Sequence, residues 1–141
     1  MEINLEKLEE TLKKAEVIYL STSVHDVVSS RPVSPLNIGL NLYIRTSASS
    51  KKAKEMTANP HIAVCAGNFY FTGKARFLGS AFSSGNTELK KAYISRYPDS
   101  FGEEDEFIES DEVFFELTIE HVSEWIYEND IPVGFAEQTL R

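Results

Sequence analysis

Cysteine occurs once in the 141 residues, as Cys65. One thiol excludes an internal disulfide framework and any cysteine-rich zinc site. Cys65 lies in an apolar run, where a lone cysteine is expected in the core rather than as a nucleophile. No apolar run approaches the ~18 residues of a membrane helix. Residues 1–10 are acidic and polar, so no secretory leader is expected and a cytoplasmic location is the default. The three histidines, His25, His61 and His121, lack paired metal spacing such as H-x-x-x-H, so no metal is expected. There is no G-x-S-x-G elbow for Ser-His-Asp hydrolysis. Residues 67–75 imitate a phosphate loop. However, five residues separate Gly67 from Gly73 instead of four, and Ala75 stands where Ser or Thr is needed.

Basic residues are almost missing from the last third of the chain. Residues 99–141 hold fourteen acids and one base, Arg141, and the net charge is −8. Such a chain is a poor general nucleic-acid binder, because phosphate neutralisation drives that affinity. The acidic run Glu103 to Glu106 lacks the alternating ligands of a calcium loop and reads as solvated. What is present is ordinary for a globular domain: 42% hydrophobic and 26% charged residues. At ~100–200 residues per domain, residues 1–141 make one. Residues 31–76 carry seven bases and a single acid, Glu55. A local basic stretch in an acidic chain suits a small anion. The alternative is that acidic and basic segments face each other in the fold.

Leu5, Leu8, Leu12 and Ala15 fall at helical spacing, with Asn4 as a candidate cap. Six strands are expected: Val17 to Ser23, Val27 to Val33, Leu40 to Thr46, His61 to Ala66, Phe69 to Leu78, and one from Val113 extending toward Tyr127. His25-Asp26 makes the first turn, and Asn37 and Gly39 suit another. On the fifth strand Phe69, Phe71, Ala75 and Phe77 share one face. Lys51 to Ala58 and Thr87 to Tyr97 read as helices, and 98–110 as a polar loop. Many short strands and few helices point to a small antiparallel barrel or sandwich.

The segment Thr46 to Met56 is the most informative. A helix N-terminus carries about half a positive charge and favours acids. Here its first turn carries Lys51, Lys52 and Lys54. A bound anion would reverse the sign, since free N–H groups, serine hydroxyls and ammonium groups would all point at it. A phosphate monoester suits that geometry. A solvated basic turn with no ligand is the other reading.

In order, Arg31-Pro32-Val33, Leu42 to Ser47, Ser50-Lys51-Lys52, Ala58-Asn59-Pro60 and Thr72 to Ala75 resemble the pyridoxamine-phosphate-oxidase-like family of FMN-binding split barrels. The likeness runs from about Val17 to Tyr127. It implies a six-stranded antiparallel split β-barrel, mainly β with flanking helices. It also implies a homodimer with FMN at the interface. Arg31, Ser50, Lys51 and Lys52 match the flavin-phosphate positions. Pro32, Val33, Thr46, Ser47 and Asn68 match positions that line the flavin. Ser95 to Ser100 looks like the oxidases' substrate-phosphate segment, which nominates Arg96 and Ser100, and Trp125 matches an aromatic residue near the flavin. Leu36 replaces a substrate-binding lysine, and the chain ends without the oxidases' arginine-histidine segment. The chain therefore looks more like the short general-stress-type members. The resemblance implies an FMN-dependent oxidoreductase acting on a small molecule. The alternative is a non-catalytic protein holding flavin, haem or deazaflavin F420.

Overall fold

The computed structural model describes residues 2–101 and 111–140. Helix α1 (Leu5–Lys14) starts at Asn4, whose side chain accepts from Lys7 N at 3.1 Å. Its Leu8 and Leu12 are buried. Strands β1 (Ile18–Val24) and β2 (Val27–Val33) follow as a hairpin. His25 and Asp26 both take positive φ, 53° and 65°, the geometry a two-residue hairpin turn requires. Then come β3 (Leu36–Ile38), β4 (Asn41–Ser47), α2 (Lys51–Ala58), β5 (His61–Ala66) and β6 (Phe69–Ser80). Helix α3 (Thr87–Arg96), β7 (Glu112–Glu128) and β8 (Ile131–Thr139) complete the described chain.

The strands form one antiparallel sheet in the order β2-β1-β5-β6-β7-β4-β3, with β8 added beside β7. It curls into an open, barrel-like sheet whose two end strands, β2 and β3, flank a split. Inside lies the main core, with Leu8, Leu12, Leu20, Ile44, Phe71 and Phe115 nearly inaccessible. A second cluster of Leu36, Ala81, Tyr93 and Phe114 lies under α3. Among the described residues no helix is long and apolar enough to cross a membrane.

Two strands lie beyond the six expected. β3 is three residues long, too short for its alternation to stand out, and Asn37 is in it rather than in a turn. The turn is at Gly39, with φ +61°. β8 carries Pro132 and Gly134, both poor strand formers. One further expectation is corrected. Cys65 points outward from β5 and is exposed, between its neighbours Tyr19 and Tyr70. Phe77 keeps the expected face, edge-on to the buried Phe115 at 5.5 Å, but is 55% exposed. Of the loop expected at 98–110, residues 102–110 lie outside the described residues.

The acidic and basic segments do face each other. Lys7, Lys74, Arg76 and Arg45 pair with Glu124, Glu120, Glu116 and Glu112, all four acids on β7. The Lys7–Glu124 contact is 2.5 Å, with Glu124 only 5% exposed and Lys7 54%. Removing one partner of a buried pair leaves an uncompensated charge at a cost of 3–5 kcal/mol. Lys7→Met is therefore expected to lose about 3 kcal/mol, toward the low end because Lys7 is half in water. Denaturant titration checks it: adding Glu124→Gln to that variant should recover part of the loss.

Candidate functional site

The start of α2 is built by its own serines. Ser50 is the N-cap, and its Oγ accepts from Ala53 N at 3.2 Å and lies 3.0 Å from Thr46 Oγ1. Its carbonyl takes Lys54 N at 3.1 Å. The Lys51 and Lys52 N–H groups are then the remaining donors of the first turn. Lys51 is exposed and Lys52 half-buried. Arg31 reaches this place from β2. Its guanidinium donates to Thr22 Oγ1 at 2.9 Å, to the Leu20 carbonyl at 3.3 Å and to Glu55 Oε1 at 3.2 Å. Burial, and then the Arg31 charge, hold the Lys52 ammonium below its ordinary pKa, while Glu112 pushes it back up. Arg31 and Lys52 thus both place positive charge at this helix start, beside free N–H donors. That donor set fits a phosphate monoester.

Acids trim the positive charge. Glu55, buried on α2, anchors Arg31. Glu112 lies 3.2 Å from Arg45 Nε. Ser47 and Ser49 both donate to the Asp111 carboxylate, Ser49 at 2.8 Å. These two hydroxyls hold Asp111 below the usual carboxylate range. Ser47, expected to line the flavin, therefore spends its hydroxyl on Asp111. Sequence reasoning missed Thr22, Glu55 and Asp111 as parts of this site. Glu55 was visible as the lone acid of the basic stretch, four residues after Lys51 on one helix face. Nothing local to Thr22 or Asp111 signals their role.

The other nominated residues fall in three places. Pro32 is exposed on the edge strand, and Val33 packs against the main core. Asn68 sits in the β5–β6 turn, where its carbonyl accepts from Trp125 N at 3.3 Å. Trp125 is 46% exposed and stacks on Phe135 of β8, with ring centroids 4.9 Å apart. Thr46 pairs with Val113, which pairs with Ser80 at the far end of β6. Asn68 and Trp125 thus lie at the other end of β6 from the Thr46 row. Arg96 and Ser100 line a cavity of about 430 Å³ with Ser34, Arg45, Tyr93 and Tyr97. Arg96 donates to the Ala15 carbonyl at 2.9 Å, and Ser100 Oγ to the Tyr97 carbonyl. Phe69, Phe71, Phe114 and Phe115 are all core.

The comparisons agree with this architecture. A Listeria innocua protein described as a candidate pyridoxamine 5'-phosphate oxidase superposes with a TM-score of 0.68 at 21% identity, covering 84% of this chain and 94% of its own. A Mesorhizobium loti protein described as FAD-binding gives 0.64 at 19%, covering 85% and 92%. A Clostridium acetobutylicum protein related to general stress protein 26 gives 0.66 at 13%, covering 96% and 94%. These likenesses show the fold. No curated protein sequence matches the chain. The family profile described as pyridoxamine 5'-phosphate oxidase matches residues 5–126, from the first helix through the Arg31 and α2 segments to Ile126. The chain belongs to the pyridoxamine 5'-phosphate oxidase family.

Proposed function

We propose that the chain is a flavoprotein that holds FMN by its phosphate at the start of α2 and acts as an FMN-dependent oxidoreductase on a small molecule. The observation that carries this reading is that Arg31 is tied through Glu55 to the Ser50-capped helix whose first turn holds Lys51 and Lys52. An arriving phosphate would offset both the burial and the Arg31 charge that hold Lys52 down. Arg31, Ser50, Lys51 and Lys52 would hold the phosphate, with Pro32, Val33 and Thr46 along the flavin. The bound flavin would supply the two-electron chemistry, and the chain would supply orientation and electrostatics. The neighbour described as FAD-binding supports the flavin class. The cavity at Arg96 and Ser100 is the proposed substrate pocket, reached from the flavin strand through Ser34.

The working unit in this reading is a homodimer. Asn68 and Trp125 sit together at the β5–β6 turn, at the other end of β6 from the Thr46 row, and in this reading they serve the flavin of a second copy. Trp125, Tyr127 and Phe135 form an exposed apolar surface on the β7–β8 hairpin suited to that contact. A second reading, a non-catalytic carrier of flavin, haem or F420, is favoured by one observation. Both cations of the cavity are already engaged, Arg45 by Glu112 and Arg96 by the Ala15 carbonyl.

The test is a visible spectrum of the protein purified in air, with release and identification of any cofactor and sedimentation of the native protein. Yellow protein releasing one FMN per subunit from a dimer is the expected result. Reduction by a nicotinamide nucleotide with turnover separates the oxidoreductase from the carrier. A colourless protein that refuses added FMN overturns the reading.

A further inference from the structure

The chain crosses the split of the barrel at Ser34-Pro35. On one side β2 pairs only with β1, and on the other β3 pairs only with β4. The crossing therefore has no ladder partner, and Pro35 has no N–H of its own. Two phenols take over. Tyr93 Oη donates to the Ser34 carbonyl at 3.2 Å, and Tyr97 Oη to the Pro35 carbonyl at 2.5 Å. The two tyrosines close α3, four residues apart, with ring centroids 5.0 Å from each other. Tyr93 is 6% exposed and tilts against Phe114 at 5.7 Å, so the second core fixes its place. Burial pushes the Tyr93 phenol up to about 12 and raises that of Tyr97 as well. Both hydroxyls stay protonated and able to donate at any physiological pH.

The linker they grip begins directly after Arg31-Pro32-Val33, the strand assigned to the flavin. An edge strand tied on one side only is free to twist or fray at its end. The same two rings also form part of the wall of the cavity beside that strand. We propose that Tyr93 and Tyr97 are positioning residues: their hydroxyls fix the Ser34-Pro35 crossing and so hold Pro32 and Val33 in place along the flavin. This rests on the flavin reading above. The clamp acts on the strand beside the ring and leaves the phosphate contacts of α2 alone. Its signature is therefore equal loss of affinity for FMN and for riboflavin, which lacks the phosphate.

Tyr97→Phe and Tyr93→Phe keep each ring and remove one hydroxyl. Apo-protein is titrated with FMN and, separately, with riboflavin. Dissociation constants are read from flavin fluorescence, alongside the visible circular dichroism of the bound flavin and the Tm. Each variant is expected to weaken both flavins by a similar factor, about 3- to 10-fold for one lost hydrogen bond, and to change the dichroism band. Unchanged constants and an unchanged band with a lowered Tm overturn the proposal, since the hydroxyls would then serve stability alone. Weakening of FMN without riboflavin overturns it too, because the effect would lie at the phosphate. A wild-type chain that binds neither flavin overturns the flavin reading and this proposal together. Variants equal to wild type in a flavin-binding chain overturn this proposal alone. Tyr93 is the more buried, so if its variant does not fold, Tyr97→Phe carries the test.

Discussion

Replacing Lys51 and Lys52 together with alanine is expected to weaken FMN binding about 100-fold or more, since each charged hydrogen bond to the phosphate is worth about 1.5–3 kcal/mol. The same change should leave the protein as stable as before, or slightly more so. Two cations leave a helix N-terminus that disfavours them, and alanine is the better helix former. Opposite signs for binding and stability separate this result from simple unfolding. Riboflavin affinity should stay near wild type. The pH dependence follows from Lys52. Its pKa is lowered in the free protein by burial and Arg31, and a bound phosphate raises it. Binding therefore takes up a proton between those two values. Above the second ionisation of the phosphate, at about 6, FMN affinity stays level up to the free-protein value and declines as pH rises through it, a loss that riboflavin does not share. Flavin titration across alkaline pH checks both. Wild-type affinity in the double variant would end the phosphate assignment.

Gly73→Ala is expected to cost the most stability of any single small substitution considered. A Cβ built at Gly73 would lie 1.7 Å from the Thr118 carbonyl oxygen and 2.8 Å from its carbon. Those atoms are backbone of the paired strand β7 and cannot rotate away, so β6 and β7 must separate. Forced overpacking costs about 1–3 kcal/mol where side chains can shift, and this site belongs above that range because none can. The site is also where the β6–β7 register slips, between Thr72 and Gly73. Thermal and denaturant unfolding should show a large loss, with insoluble protein as the extreme. A stable Gly73→Ala protein would mean that the strands part there more easily than their pairing implies.

Gly73 also shows what the sequence could and could not disclose. It was legible as part of a family pattern, Thr72 to Ala75, but its physical reason lies in β7, 45 residues away. The hairpin turn at His25-Asp26, the Asn4 and Ser50 caps and the length of β7 were all legible, because each depends on neighbours in the chain. β8 left one usable signal: Asn129 and Asp130, both with positive φ, turn the chain before the alternating Ile131, Val133 and Phe135. At the site, the lysine turn and Arg31 were visible from composition and order. Their partners were not, since Thr22 and Glu55 meet Arg31 only through the fold. Ser47 looked available until Asp111 was found across the sheet.

Strand β7 pairs with β4, β6 and β8, yet it occupies residues 112–128 of the chain. During synthesis the order β2-β1-β5-β6 can assemble first, because every one of those pairings lies within the first 80 residues. β4, made early, has only the short β3 to pair with until β7 emerges. A nascent chain halted before residue 112 therefore carries two unclosed half-sheets, with β6 and β4 each presenting an open edge to other chains. Only β7 joins the two halves, and its acidic spine meets cations from β6 on one side and β4 on the other.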